Sequence, residues 1–386
     1  MYLLLLAIIY LSFIALGLPD SLLGSAWPVM HVDLNIDKSL ASLLSMIVGM
    51  GTIITSSFTG RLVKKLGTSR LTAISILITA FGLLGIYLSN HLIFLILSSI
   101  LLGVGAGAVD AGLNDYVSRN YKAQHMSFLH SFWGIGVTTS PILMGIFIAN
   151  ANWRIGYLTI AIIQFVLAFI IFISYPLWQK NSEEKKENIA PFKHPILIPG
   201  VIFAMLFFAF YCGCENTIGT WGATFLVNVK NISPSNASFY VSFFFGGITL
   251  SRILSGFLLM KIKDKYIIIG GMIALLLGLF SLFISENVIP GFVGLLLIGL
   301  GCGPIYPCSI HLTHERFGRE NSASIVGYQV AFAGVGFTFI QPLTGLIATK
   351  IGLSILPVIL IGFCIMLFIL FITIQKITSK NIEKDV

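Results

Sequence analysis

Four ionisable side chains interrupt otherwise apolar runs of this 386-residue chain: Asp20, Asp110, Glu215 and Arg252. A charged side chain at bilayer depth is costly, so such residues mark ion or proton pathways and pair with partners inside a helix bundle. A carboxyl group removed from water favours its neutral form, and it regains its charge when water reaches it. The three carboxylates Asp20, Asp110 and Glu215 therefore predict proton-coupling chemistry.

Arg252 and the pair Asp115 and Arg119 lie near one end of their apolar runs. Arg252 lies nine residues before Lys261, at a depth like that of Asp110. Two interpretations of Arg252 stay open: it pairs with a carboxylate, or its long side chain extends to the membrane surface. Asp115 precedes Arg119 by four residues, which is the spacing of an ion pair on one helix face. We assign these three residues to a gate rather than to solute binding.

Aromatic and amide side chains inside the apolar runs offer contacts for a small polar solute, namely flat faces for its C–H surfaces and hydrogen bonds for its polar groups. Trp133, about 13 Å from the inner end of its run, is the stacking candidate. Trp27 and Trp221 lie toward the outer interface, where aromatic belts are common, and are predicted to be anchors. The candidate solute contacts are Asn114, Trp133, Gln164, Asn216, Tyr306 and Gln329.

The sequence predicts no enzyme chemistry. Two glycine-rich segments, GVGAG (103–107) and GLGCG (299–303), lie inside apolar runs with no preceding strand, so helix packing explains them better than dinucleotide binding. The five cysteines lack the spacing of a zinc site and are predicted to be buried packing residues. No Walker loop, HExxH motif or nucleophile elbow stands where a catalytic fold could use it. We expect no catalytic residue, metal site or cofactor.

The composition indicates a chain that folds in lipid. Hydrophobic residues make up 56% and charged residues 10%, with a mean hydropathy of +0.96, whereas a soluble domain carries about 25% charged residues. The first apolar run lacks a basic start and continues past Asp20, so we predict an uncleaved helix and not a signal peptide. A spanning helix needs roughly 20 apolar residues. We predict an all-α membrane protein with twelve transmembrane helices at residues 2–30, 40–59, 71–88, 92–117, 126–149, 157–178, 195–229, 237–260, 266–284, 288–311, 322–348 and 353–374.

The basic residues between these spans predict the orientation. One side carries 18 Lys and Arg residues and the other side carries four. Cytoplasmic loops hold the excess of Lys and Arg, so both termini are predicted to lie in the cytoplasm of a cell with this protein in its plasma membrane. The net charge of +8 belongs to these loops and does not indicate nucleic-acid binding. We expect a monomer in the lipid bilayer.

The two halves of the chain repeat each other. Asp20 matches Glu215 at an offset of 195 residues, and the glycines at 103, 105 and 107 match those at 299, 301 and 303 at an offset of 196. The glycines at 134, 136 and 145 match those at 334, 336 and 345 at an offset of 200. These matches suggest a duplicated six-helix unit. We expect two pseudo-symmetric six-helix bundles, at 1–178 and 195–386, joined by a cytoplasmic linker loop at 179–194.

Twelve spans in two related halves with both termini inside resemble the major facilitator superfamily. The segment GRLVKKLGTSRL (60–71) is similar to the loop that follows the second helix in that superfamily, and the resemblance assigns Gly60 and Arg61 to the gate. This copy departs from the pattern, because Lys64 stands where the superfamily carries Asp and Thr68 and Ser69 replace two basic positions. The superfamily implies a solute site at the midplane between the halves and alternating access around it.

Three shorter segments resemble the fucose/proton symporter family. ALGLPDSLLGSAWP (15–28) is similar to its first helix, which carries an intramembrane Asp. GVGAGAVDAGLNDYV (103–117) is similar to its fourth helix, with a carboxylate at Asp110 and an amide at Asn114, and PIYP (304–307) resembles its tenth. This resemblance implies proton-coupled import of a sugar or a similar small polar solute.

The leading hypothesis is therefore a secondary transporter whose partners are protons and a small polar solute. Na+ stays open as the coupling ion, because carboxylates and unwound backbone carbonyls bind it too. One alternative is a proton-coupled antiporter that exports drugs or metabolites, which an acidic cavity with Asp20 and Glu215 both ionised would suit. A second alternative is a membrane receptor or assembly factor that keeps the fold without transport, and the departure at Lys64 leaves it open.

Overall fold

The computed structural model describes residues 2–121, 123–150, 152–179, 195–284 and 288–382, and no β-strand occurs among them. The first half of the described chain forms α1 (Tyr2–Asp20), α2 (Leu22–Asp33), α3 (Leu40–Leu66), α4 (Thr68–Leu88), α5 (Leu92–Asn120), α6 (Ala123–Asn150), α7 (Trp153–Ile173) and α8 (Tyr175–Gln179). The second half forms α9 (Val201–Lys230), α10 (Pro234–Leu258), α11 (Asp264–Ile284), α12 (Val288–His311), α13 (Thr313–Phe317), α14 (Arg319–Val335), α15 (Gln341–Ile351) and α16 (Leu356–Ile382).

Twelve helical stretches among the described residues are long and apolar enough to cross a membrane. Each overlaps one of the twelve predicted spans, which confirms the all-α membrane fold. The apolar residues are exposed where a soluble protein would bury them: the side chains of Phe172 and Phe257 are each 67% exposed. That exposure is expected when the surrounding solvent is hydrocarbon, because burying apolar groups inside the protein then gains little.

Two spans differ from the expected continuous helix. The first span breaks at Ser21, between α1 and α2, directly after Asp20. The eleventh span contains a π-helical turn, Gly336–Ile340, between α14 and α15. The break at Ser21 has a local cause, because Pro19 lies inside α1 and has no N–H to continue the helical bonding.

The described helices belong to two compact units. Unit 1 comprises Met1–Glu187 with Ser233–Ser242, and unit 2 comprises Asn188–Ile232 with Phe243–Val386. The first turns of α10 fall in unit 1 because two of their hydroxyls bond to carbonyls of α6. Ser235 Oγ donates to Gly145 O and Ser238 Oγ donates to Pro141 O, each at 2.8 Å.

Glycine-mediated helix crossings recur in both units at the offset of the sequence repeat. A Cβ atom at Gly103 would collide with the carbonyl of Val48, and one at Gly299 would collide with the carbonyl of Phe244. Both members of the second pair lie 196 residues after those of the first. The same offset relates two more pairs of crossings, Gly105 with Ser75 to Gly301 with Gly271, and Gly107 with Thr52 to Gly303 with Ile248.

Candidate functional site

Asp20 lies near the middle of the first span, at the end of α1, and its side chain is exposed. Trp133 on α6 donates its indole N–H to Asp20 Oδ2 at 2.8 Å. Two glycines allow α1 and α6 to approach closely enough for this bond: a Cβ at Gly17 would collide with the carbonyl of Trp133, and one at Gly136 would collide with the carbonyl of Ile14. The carboxylate is therefore presented at a tight helix crossing.

Asp110 is the second carboxylate of unit 1 and lies four residues before the end of its span. Asn114, one turn further along α5, donates from Nδ2 to Asp110 Oδ1 at 2.9 Å, as the i,i+4 spacing predicts. Asp20 and Asp110 are near enough for their charges to interact. We call Asp20, Asp110, Trp133 and Asn114 the Asp20 cluster. No Lys or Arg among the described side chains forms an ion pair with either of its carboxylates.

Glu215 in unit 2 has the partners that the Asp20 cluster lacks. Arg252 Nη2 on α10 lies 3.6 Å from Glu215 Oε1, and the two side chains are only 18% and 12% exposed. Arg252 thus pairs with a carboxylate, which is the first of the two interpretations left open by the sequence. The Tyr211 hydroxyl lies within hydrogen-bond distance of the Glu215 carboxylate and, at 2.8 Å, of the Cys302 carbonyl. We call Glu215, Arg252, Tyr211 and Tyr306 the Glu215 cluster.

Tyr306 joins the Glu215 cluster through aromatic contacts. Its ring centroid lies 6.2 Å from that of Tyr211 and 4.9 Å from that of Phe208. Sequence reasoning selected Tyr306 but missed Tyr211. The signal for Tyr211 was present, because it precedes Glu215 by four residues and so shares its helix face.

The remaining amide candidates have internal partners. Gln164 and Gln329 are each 1% exposed. Gln164 Nε2 donates to Ala15 O at 2.5 Å, and Gln329 Oε1 accepts from the Thr313 hydroxyl at 3.0 Å. Burial and an internal partner favour a packing role for both, in place of the solute contact expected from the sequence. Asn216 is half-buried and donates to the carbonyl of Cys212 one turn earlier.

The two tryptophans expected at the membrane interface lie in the protein interior, and one residue of the predicted gate loop can be described. Trp27 and Trp221 are fully buried, so the expected anchor role at the membrane surface is wrong for both; Trp27 donates to the carbonyl of Lys38. Arg61 is exposed, with its guanidinium 5.7 Å from the centroid of the Phe58 ring. Side-chain facts for Gly60, Asp115 and Arg119 lie outside the described residues. All five cysteines are buried, as predicted.

Comparison with known proteins identifies the family. A sequence profile of the Major Facilitator Superfamily matches residues 9–328 and 230–385. The glucose/mannose transporter GlcP of Bacillus subtilis (strain 168) is 27% identical over 270 residues, which is 65% of this chain and 65% of that transporter's length. The sodium-dependent glucose transporter 1 of Homo sapiens is 22% identical over 423 residues, covering 97% of this chain and 79% of that protein.

A solved structure gives the same result for the fold. The nucleoside transporter NupG superimposes with a TM-score of 0.74 at 16% identity, covering 97% of this chain and all of that one. The profile match covers most of the chain, the described helices supply twelve candidate spans, and the relatives are transporters and not enzymes. The chain belongs to the major facilitator superfamily of multi-pass membrane transporters.

Proposed function

We propose that this transporter couples inward proton flow to the uptake of a monosaccharide or a similar small polar solute. One observation carries the proposal. The Asp20 cluster holds two carboxylates inside the spans of unit 1, near enough to interact, with no cationic partner among the described side chains. Carboxylates left uncompensated at bilayer depth are costly unless they exchange protons or bind a cation.

The chemistry of the Asp20 cluster suits a coupling step. Each carboxylate already accepts a hydrogen bond from a neighbouring side chain, Asp20 from Trp133 and Asp110 from Asn114. Protonation removes the negative charge of a carboxylate. A neutral cluster then costs less to desolvate when the transporter changes between its outward-open and inward-open states. A solute that binds only the protonated cluster would then move together with its proton as the two repeats alternate in access.

The solute class rests on the relatives and on the side chains beside Asp20. GlcP is named for glucose and mannose, and the human relative is named for glucose. Trp133 brings an indole face next to Asp20, and Asn114 brings an amide next to Asp110. We propose these two residues as solute contacts in unit 1. We propose Asn216 and Tyr306 as the corresponding solute contacts in unit 2, because both side chains are half-buried and not enclosed.

The charge of Glu215 bears on the export alternative. That alternative relied on ionised Asp20 and Glu215 attracting a cationic solute. Arg252 compensates Glu215, so unit 2 offers no net negative charge at this position, and a neutral solute is favoured. We propose the coupling role for Asp20 and Asp110 and leave Glu215 out of it. The Lys and Arg excess in one set of loops, 18 against four, supports cytoplasmic termini and the plasma membrane as the location.

Purified protein in liposomes tests the proposal. An inward proton gradient should drive accumulation of labelled glucose or mannose, with alkalinisation of the outer medium. Asp20→Asn should abolish accumulation and retain gradient-free exchange of solute. Asp37→Asn is the matched control, because Asp37 is an exposed carboxylate in the turn before α3, and it should accumulate solute like the parent.

Three results would contradict the proposal. Asp20→Asn accumulating sugar to the parent's level would remove the proton role. Accumulation that follows a Na+ gradient at constant pH would replace the coupling ion. Efflux of an organic cation, with no uptake of glucose or mannose, would support the alternative of a proton-coupled exporter.

A further inference from the structure

Two prolines near Asp20 each leave a backbone carbonyl without its helical donor. Pro19 lies inside α1, so the carbonyl of Ala15, four residues earlier, receives no N–H from it. An unsatisfied carbonyl in a lipid environment is costly, and neighbouring helices supply the missing donor where a proline is tolerated. Here the donor is Gln164 on α7, whose Nε2 lies 2.5 Å from Ala15 O and whose side chain is 1% exposed.

The second proline repeats this arrangement on the neighbouring helix. Pro141 lies inside α6, so the carbonyl of Val137 loses its helical donor. The Ser21 hydroxyl donates to Val137 O at 2.9 Å, and Ser21 is 1% exposed. Ser21 is also the residue that separates α1 from α2. The broken point of the first span is therefore attached to the weakened point of α6.

The second cap adjoins the Asp20 carboxylate in the chain. Asp20 accepts from Trp133 and the next residue, Ser21, donates to Val137, which lies one turn after Trp133 on α6. Adjacent residues of the first span are thus held by successive turns of one helix. The equivalent helix of unit 2 is not broken at this position: Cys214 stands at the position equivalent to Pro19, and α9 runs unbroken from Val201 to Lys230.

We propose that Gln164 and Ser21 are positioning residues for Asp20. By capping the carbonyls that Pro19 and Pro141 leave free, they fix the break in the first span so that the carboxylate stays at the Trp133 indole. This inference rests on the proposed role of Asp20 in proton coupling. It also explains why the buried polar side chains of Gln164 and Ser21 bond to backbone carbonyls of neighbouring helices.

Restoring the missing donors tests the inference. Pro19→Ala returns an N–H to α1, which can then satisfy Ala15 O without Gln164. Gln164→Met should lower the apparent melting temperature by about 2–4 °C in the parent and by much less in the Pro19→Ala background. It should also move the pH midpoint of proton-driven uptake by about one unit in the parent, and Pro19→Ala should restore the parent profile.

The bond from Ser21 to the Val137 carbonyl allows a second, independent double-mutant cycle. Ser21→Ala should show the same losses in the parent, and Pro141→Ala should remove them. Ser25→Ala is its control, because the Ser25 hydroxyl donates to Ser21 O within the first span rather than to α6, so Pro141→Ala should leave its cost unchanged. Gln329→Met is the control for Gln164, being equally buried but bonded to Thr313 in unit 2, and its cost should be equal with and without Pro19.

The outcomes distinguish the capping of the two carbonyls from the positioning of Asp20. Equal melting losses for Gln164→Met with and without Pro19 would overturn the capping. Rescued melting temperatures with an unmoved pH profile in every variant would overturn the positioning role and leave capping as packing alone. A parent with no proton-driven uptake would overturn the proposed function and with it the positioning role, while the melting cycle still reports the caps.

Discussion

Asp20 and Glu215 lie 195 residues apart at equivalent positions of the two units, but their surroundings carry opposite charge. Asp20 accepts a hydrogen bond from a neutral indole and has a second carboxylate, Asp110, within Coulombic range. Glu215 faces the guanidinium of Arg252 and the hydroxyl of Tyr211. Among the described side chains, one unit thus keeps two carboxylates in its spans without an ion-paired cation, and the other unit pairs the equivalent carboxylate with Arg252.

The repeat offset locates the residues that make this difference. Arg252 lies 196 residues after Ser56, whose hydroxyl bonds to the Gly107 carbonyl, and Tyr306 lies 196 residues after Asp110. The glycine crossings around these positions are the same in both units. Close helix packing is therefore shared by the two units while their polar side chains differ, which is expected if the packing determines the fold and the polar side chains determine the function.

Removing the guanidinium from unit 2 should produce the largest effect. Arg252→Met leaves Glu215 as an uncompensated charge in a largely buried site, and breaking a buried pair in this way costs about 3–5 kcal/mol. The double variant Arg252→Met with Glu215→Gln should recover most of that loss, because it removes both charges. Thermal unfolding in detergent measures both variants, with Arg61→Met as an exposed control. A single variant that melts within a degree of the parent would mean that the pair has no stabilising role.

The spans, their number and the repeat could be predicted because each depends on local apolar length or on spacing. The carboxylates could be predicted because a charge in an apolar run is conspicuous in the sequence. The partner of Arg252 could not be chosen, because it depends on how α9 and α10 are placed side by side, and a side chain of that length reaches either a carboxylate or the surface. The burial of Trp27 and Trp221 was missed for a similar reason, since an aromatic residue near a span end has the same local sequence whether lipid or protein covers it.

The break at Ser21 shows a different limit. The uninterrupted apolar run predicted a single continuous helix, whereas Pro19 lies inside it and disturbs the helical bonding. What the sequence does not show is where the freed carbonyl finds a donor. Gln164 lies 149 residues away from Ala15, and only the packing of α7 beside α1 brings them together. This explains why a residue that resembled a solute contact is bonded to the backbone instead.

Giving unit 1 the cation of unit 2 should produce an intermediate effect. Ser56→Arg places a guanidinium at the position equivalent to Arg252. Ser56 bonds to Gly107 O on α5, three residues before Asp110, so the guanidinium should compensate the Asp110 carboxylate. We expect proton-driven accumulation of solute to fall about tenfold or more, corresponding to about 1.4 kcal/mol, while gradient-free exchange persists. Uptake in liposomes measures both. Ser57→Arg is the control, because Ser57 is exposed and bonds within its own helix. Equal losses of accumulation in the two variants would show that an added charge at either position of α3 is harmful. The position equivalent to Arg252 would then have no special effect.

Removing one hydroxyl from unit 2 should produce the smallest effect. Tyr211→Phe deletes the group that lies between the Glu215 carboxylate and the Cys302 carbonyl but leaves the Arg252 pair and the ring packing in place. The loss of such a hydrogen bond is about 1 kcal/mol, visible as a small drop in melting temperature. Because Glu215 has no assigned part in coupling, the ratio of protons to solute, measured as pH change per solute taken up, should equal that of the parent. A changed ratio in Tyr211→Phe would return Glu215 to the coupling machinery and make the two units alike in function where they differ in charge.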